Sequence, residues 1–209
     1  MAVVPDVEHQ FDAMGSTYVM LFVDPESREG RWLARSLTPP ITDLPQAKLD
    51  QVLPLLHGVW KDPADAPETA QIVHAVVRAL CSGPPPSRAL DGRIVRALEV
   101  IRQMDTAKLS LEDVARAVFL SPSRLAHLFS DEVGLPFRRY LLWRRLTRAM
   151  MAVGRGSNLS AAAHACGFAD SAHLTRACTQ MFGTPPSLLM KAGEFYEIPA
   201  PFELPFPLP

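Results

Sequence analysis

Two stretches in the C-terminal half of the sequence repeat each other, and this repeat limits the fold more than any other feature. The offset is 48 to 49 residues. The matched pairs are ARAVFL (115–120) with AHACGF (163–168), Leu125 with Leu174, and GLP (134–136) with GTP (183–185). Each copy is predicted to hold a short helix, a turn of about three to four residues and a second helix, which together describe a helix-turn-helix.

Helix start and stop signals support this division of residues 91–192 into helices and turns. Asp91, Ser110 and Ser121 are predicted to cap the first three helices, and Gly134 is predicted to end the third. Pro136 opens a long helix that runs to Val153. For the second copy the predicted caps are Asn158 or Ser160 and then Asp170 or Ser171, and the predicted stops are Gly167 and Gly183.

In a helix-turn-helix the first helix braces the second, and the second enters the major groove of double-stranded DNA. The long helix between the copies, about 18 residues at 1.5 Å each, spans about 27 Å. With its flanking turns it separates the two second helices by about one turn of DNA, near 34 Å. One chain is therefore predicted to contact two successive major grooves.

The second helix of each copy has a small, polar outward face. In the first copy this face holds Ser123, Ala126, His127 and Ser130; in the second it holds Ala172, Thr175, Arg176 and Thr179. Small residues permit close approach to bases, and His127 and Arg176 are long enough to reach base acceptors. An ordinary solvent face is the alternative for either helix alone, and the repeat favours DNA recognition.

Charge is distributed unevenly along the chain. Residues 1–90 carry 7 basic and 11 acidic side chains, residues 91–192 carry 14 and 8, and residues 193–209 carry none and 3, which sum to the net charge of -1. Twelve of the fourteen basic residues in the middle segment are arginines, which suit phosphate and guanine contacts. Arg138 and Arg139 on the long helix are predicted to contact phosphates.

The N-terminal half is predicted to be a small, mostly helical domain, residues 1–86, with one short strand at 16–23. Helices are expected at about 25–37, 45–58 and 66–81. The segment SGPPPS (82–87) marks the boundary with the second domain, 91–192. The proline-rich tail, 193–209, is expected to be either extended in a groove or disordered. The fold class is thus mainly α.

Several function classes find no support in the sequence. It contains no P-loop, GxGxxG, GxSxG or HExxH pattern, so we expect no enzyme and no cofactor. Its three cysteines are too far apart for a disulfide framework or a CxxC zinc site, which predicts no metal site and a reducing compartment. No apolar window approaches 18 residues and no signal peptide is evident, so we expect a cytoplasmic protein without a membrane partner.

Two stretches carry a resemblance to a known family: LSLEDVARAVFLSPSRLAHLFSDEVGLPFRRYL (109–141) and LSAAAHACGFADSAHLTRACTQMFGTPPSLL (159–189). Residues 91–192, about half of the chain, resemble the DNA-binding domain of AraC/XylS transcription regulators. The resemblance implies a sequence-specific regulator, an activator that contacts RNA polymerase. It places base contacts on Ser123, Ala126 and His127 in the first copy, and on Ser171, Ala172, His173, Thr175 and Arg176 in the second.

The sequence departs from the family pattern at two positions. Phe119 stands where the first turn usually has glycine, and Cys178 stands where the second recognition helix usually has a core phenylalanine. The segment STYVMLFVDPESREGRW (16–32) resembles only the end of the family's sensor barrel, and one strand cannot close a barrel of about eight strands around a ligand. We therefore expect this domain to serve oligomerisation, for example as a homodimer, or another interaction, and leave a small-molecule effector open.

Two other hypotheses remain open. The chain could be a truncated co-regulator or anti-regulator that dimerises with a longer family member through its N-terminal domain. It could also be a thiol or metal sensor that uses Cys166 and Cys178 with His164 and His173, although buried cysteines more often act as small core residues.

Overall fold

The computed structural model describes residues 2–3, 7, 20–37, 41–61, 66–104 and 106–191. The elements in these ranges are, in chain order, β1 (Ala2–Val3), α1 (Arg28–Ser36), β2 (Ile41–Thr42), α2 (Gln46–Lys61), α3 (Ala66–Leu80), α4 (Gly92–Gln103), α5 (Leu111–Ala117), α6 (Pro122–Val133), α7 (Phe137–Gly154), α8 (Leu159–Ala165), α9 (Ser171–Phe182) and α10 (Pro186–Lys191). The fold is mainly helical, as predicted. Within the described part of the chain, no helix is long and apolar enough to cross a membrane.

The described residues between 20 and 85 lie in one compact unit, and those between 86 and 191 lie in another. In the first unit, α3 packs against both α1 and α2. The imidazole Nδ1 of His74 on α3 lies 3.1 Å from a carboxylate oxygen of Glu29 on α1, and Trp32 is buried with its indole N–H donating to the Ser82 carbonyl at 3.4 Å. The unit is therefore a small helical layer built around α3.

The prediction of a strand at 16–23 is wrong for the part that the structure describes, residues 20–23. Residues 20–23 are irregular, with Leu21 and Phe22 exposed, and 16–19 lie outside the described residues. Among the described residues, the strands are β1 and β2, which pair antiparallel with Ala2 opposite Thr42. An apolar β-branched run has strand propensity, but a strand forms only where its backbone groups find a partner strand.

The first helix begins later than predicted. Ser27, rather than a residue before Pro25, caps α1, because its hydroxyl accepts a hydrogen bond from the Gly30 N–H at 2.9 Å. Pro25 and Glu26 form a turn. The predictions for α2 and α3 match the structure within a few residues, since both were based on long apolar periodicity. The proline-rich tail lies outside the described residues.

The second unit contains both copies of the repeat. In the first copy, α4, α5 and α6 enclose a core of fully buried side chains that includes Ile94, Val114, Leu125 and Phe129. The N-terminal half of α7 joins this core through Phe137, Tyr140 and Leu141.

The C-terminal half of α7 belongs to the second copy. Here α7 packs on α8, α9 and α10, and it buries Leu146, Ala149, Met150 and Val153. One helix therefore supplies core residues to both copies, which fixes how far apart their second helices stand.

Candidate nucleic-acid interface

The first copy is positioned by side-chain caps at both of its helices. Ser110 and Asp113 form a capping box at the start of α5, where the Ser110 Oγ accepts from the Asp113 N–H at 3.1 Å. The hydrogen bond from the Ser110 hydroxyl lowers the pKa of Asp113. Ser121 caps α6 by accepting from the Arg124 N–H at 3.2 Å, with Pro122 in the first turn, and Gly134 ends α6 at φ 81°. The S-x-x-D and Ser-Pro patterns predicted these ends.

The inward face of α6 is held by aromatic packing. Phe129 is fully buried, and its ring makes edge contacts with Phe137 at 5.4 Å and Tyr140 at 5.2 Å between centroids. At the end of the same face, the carboxylate of Glu132 forms an ion pair with Arg88 and accepts from the Asp91 N–H at 3.1 Å. Glu132 thereby fastens residues 88–91 to α6.

The outward face of α6 carries the residues predicted to meet DNA. Ser123 and His127 are exposed, and Ala126 is half-buried. The structure also exposes Arg124, which the sequence analysis did not include among the site residues. The repeat itself held the signal for it, because Arg124 occupies the position that matches His173 in the second copy.

The second copy uses a different set of supports. Asp170, not Ser171, caps α9 by accepting from the His173 N–H at 2.6 Å, and this hydrogen bond lowers the pKa of Asp170. Leu174 and Cys178 are fully buried on the inward face. Phe182 is also buried and makes an edge contact with Trp143 of α7, with 5.7 Å between ring centroids.

Cys178 belongs to this core. Its thiol donates to the Thr184 carbonyl at 3.5 Å, and burial raises the pKa of the thiol to about 12. Cys166 is also buried, whereas His164 is exposed. Among the described residues, no group of three or more His, Cys, Asp or Glu side chains is placed to hold a metal ion.

The five predicted contact residues of α9 form two groups that differ in exposure. Ala172 and Arg176 are exposed, while Ser171, His173 and Thr175 are half-buried. Thr175 donates its hydroxyl hydrogen to the Ser171 carbonyl at 2.8 Å. His173 packs edge-on against Phe168, at 5.3 Å between ring centroids, and its Nδ1 accepts from the Ala169 N–H at 3.4 Å. His173 thus supports the turn of its own motif.

The arginines of α7 also differ from one another. Arg138 is exposed and Arg139 is half-buried. Arg145 donates from Nε to the Thr106 carbonyl at 2.8 Å and from its guanidinium to the Ala107 carbonyl at 3.4 Å. Arg145 therefore has a structural role: it holds the segment that connects α4 to α5.

Comparisons with known proteins agree with this architecture. A family model described as "Helix-turn-helix domain" matches residues 114–192. The chain is 35% identical over 79 residues to the uncharacterized HTH-type transcriptional regulator YijO of Escherichia coli (strain K12), a match that covers 37% of this chain and 28% of that protein. It is 26% identical over 151 residues to the probable transcriptional regulator LumQ of Photobacterium leiognathi, covering 68% and 59% respectively. The chain spans less than two thirds of the length of either relative.

Two solved structures are similar to part of the chain. The C-terminal domain of AraT, a response regulator from Geobacillus stearothermophilus, has a TM-score of 0.47 and 21% identity, over 55% of this chain and 96% of that chain. A transcriptional regulator from Chromobacterium violaceum, described as containing an AraC-type DNA-binding domain, has a TM-score of 0.45 and 24% identity, over 47% and 89%.

Proposed function

We propose that this protein, whose residues 114–192 match a family model described as "Helix-turn-helix domain", is a sequence-specific DNA-binding transcription regulator of the AraC type that inserts α6 and α9 into two successive major grooves. The observation that carries the proposal is the arrangement of the two copies on one helix. Because α7 is 18 residues long and contributes to both cores, it spans about 27 Å and holds α6 and α9 in one DNA-binding unit. That span suits two grooves about 34 Å apart.

The exposed side chains suggest a division of roles. Ser123, Ala126 and His127 on α6, and Ala172 and Arg176 on α9, are the residues we assign to base edges. Arg176 is the strongest of these, since a guanidinium donates two hydrogen bonds to guanine. Ser171, His173 and Thr175 remain candidate contacts at the margin of the α9 face, where they also serve the helix itself.

Phosphate contacts are assigned to Arg138 and Arg139, at the start of α7. Arg138 is exposed, so its guanidinium is accessible to a phosphate. Arg145 is excluded from this role because it already donates to backbone carbonyls. Phosphate contacts of this kind add affinity without sequence preference.

Selection of bound sequences from random double-stranded DNA by the full chain tests the proposal. We expect enriched sites with two blocks about 10 base pairs apart, the spacing of successive major grooves. Binding to an enriched site should also weaken steeply with salt. If no sequence is enriched at any salt concentration, the proposal fails, and the co-regulator hypothesis takes its place.

We further propose that the protein activates transcription through RNA polymerase, and that the N-terminal unit forms a homodimer. Support for the dimer comes from α2, where Leu49, Leu53 and Leu56 lie on one helical face and Leu53 is 52% exposed. Transcription in vitro from a promoter that carries a selected site checks activation, which must rise with added protein. Sedimentation of the full chain and of Leu53→Glu checks the dimer, which the charged side chain should dissociate.

A further inference from the structure

Phe119, in the turn between α5 and α6, combines two unusual properties. Its φ is 58°, in the left-handed region, and within the described part of the chain it is the only non-glycine residue with a positive φ. Its side chain is also 87% exposed. A bulky residue in this conformation costs backbone free energy, and an exposed aromatic ring contributes little to the core. The contacts of the described residues therefore give no reason for a phenylalanine here.

The matching position of the second copy shows how this turn is built when it packs closely against the rest of the fold. Gly167 has a φ of 79°, and a Cβ built on it would lie 2.5 Å from the Cβ of Ala107. The α4–α5 connection thus covers the second turn, and only glycine fits there. The first turn has the same backbone conformation but is open to solvent, so it accommodates a large side chain.

The surroundings of Phe119 favour an anionic partner. Ser121, Pro122, Ser123 and Arg124 are all exposed, and they lead directly into the outward face of α6. Arg116 is 78% exposed beside the same turn, although it also pairs with Asp113 at 3.3 Å. The first turn of α6 carries no acidic side chain. An aromatic ring next to cationic and uncharged polar groups suits a DNA duplex, whose backbone offers phosphates and apolar sugar faces and whose major groove offers thymine methyl groups.

We propose that Phe119 packs against an apolar edge of the same DNA duplex that α6 contacts, either a deoxyribose face or a thymine methyl group. The proposal rests on the proposed function and adds a residue that the DNA-contact set from the sequence does not contain. Burial of the ring against DNA would offset the cost of its backbone conformation, so the strain is retained for binding.

The test compares the full chain with Phe119→Gly, Phe119→Asn and Phe119→Tyr on a duplex obtained by selection. Glycine and asparagine both adopt the left-handed conformation readily, whereas tyrosine keeps the ring. We expect Phe119→Gly to raise the Tm by a few degrees while DNA affinity falls about tenfold, the scale of a partly buried aromatic ring. Phe119→Asn should also lose affinity, and Phe119→Tyr should retain it.

Two controls separate the outcomes. Met104→Ala, at an exposed apolar side chain near the end of α4, should leave DNA affinity unchanged. Replacing each thymine of the site with uracil identifies a methyl contact, because wild type then loses affinity at one position and Phe119→Gly does not. If no uracil replacement has this effect, and Phe119→Gly still lowers DNA affinity, the ring contacts the sugar.

Three different results would each contradict a different one of these proposals. Equal DNA affinity of wild type and Phe119→Gly removes the inference and leaves the proposed function intact. If Phe119→Gly keeps full DNA affinity but no longer activates transcription, Phe119 contacts a protein partner instead. Failure of the wild type to prefer any sequence removes the proposed function itself.

Discussion

The two copies of the repeat share a fold, but different interactions hold them together. The first copy centres on the ring of Phe129, and Glu132 ties it to residues 88–91. The second has Cys178 and Met181 at the matching positions, and relies on the close approach of Gly167 to Ala107. A sequence repeat therefore preserves where helices begin and end, while the contacts that stabilise each copy have diverged. Substitutions at matching positions should have unequal effects.

The largest difference should appear at the matching core positions 129 and 178. Phe129→Ala should lower the free energy of unfolding by about 3 to 5 kcal/mol, because it leaves a cavity and removes both edge contacts. Cys178→Ala removes one sulfur atom and should cost about 1 kcal/mol. Urea unfolding followed by circular dichroism measures both. Equal losses would mean that the aromatic cluster does not distinguish the copies.

The next difference concerns the two turns. Gly167→Ala should destabilise by about 2 to 4 kcal/mol, since the methyl group meets Ala107 and the residue must keep a positive φ. The double variant Gly167→Ala with Ala107→Gly should recover only part of the loss, because it removes the 2.5 Å contact with the Ala107 Cβ but leaves the Ala107 Cα at 2.8 Å and the positive φ. The same urea titration checks this pair. If the double variant is no more stable than the single one, the contact with Ala107 is unimportant.

A smaller and more specific difference is expected at the matching outward positions 127 and 176. Arg176→Ala should lose about 1 to 3 kcal/mol of discrimination at one base pair, because a guanidinium can bond two acceptors of guanine. His127→Ala should lose less, since an imidazole offers a single donor to a base edge. Competition binding with single-base variants of a selected site measures both.

Arg138→Ala is the control for this pair. It should weaken binding to all sequences alike and reduce the slope of log affinity against log salt by about 0.9. A loss of discrimination in Arg138→Ala, or an equal loss of affinity for all sequences in Arg176→Ala, would reverse the assigned roles.

The smallest expected difference is in the response of the two recognition helices to acid. The pKa of Asp170 is lowered by the His173 N–H. A carboxyl with a lowered folded-state pKa stabilises the fold above its ordinary pKa of about 3.9, and this contribution is lost as pH falls through the folded value. Ser121, the matching cap of α6, does not titrate.

Amide hydrogen exchange should therefore quicken in the first turn of α9 below about pH 4, relative to the first turn of α6. Asp170→Ser should abolish the difference, because serine caps a helix without a charge. Equal changes in both first turns of the wild type would contradict the assigned cause.

Local chemistry explains which parts of the fold could be predicted. Ser110, Ser121 and Gly134 were identified because a cap needs only one side chain and the backbone beside it. Where two residues were possible, the structure selected Asn158 and Asp170, whose side chains accept hydrogen bonds from N–H groups three residues ahead. The short helix α10 was not predicted as a separate element.

The candidate site was predictable as a face but not residue by residue. Helical periodicity predicts that Ser123, His127 and Arg176 point outward, and all three are exposed in the structure. Four other predicted contact residues, Ala126, Ser171, His173 and Thr175, are half-buried. Periodicity could not show that His173 packs on Phe168. That contact depends on the path of the turn before α9, where the second copy has one more residue.

The sequence by itself determined most of the helices, several of their caps and the duplication, because these features depend on periodicity and on residues close together in the chain. Only the tertiary structure decided which residues from distant parts of the chain meet to support the fold. Glu132 meets Arg88, Arg145 meets Thr106 and Gly167 meets Ala107. Each of these pairs joins residues far apart in sequence, so it exists only after the helices have packed.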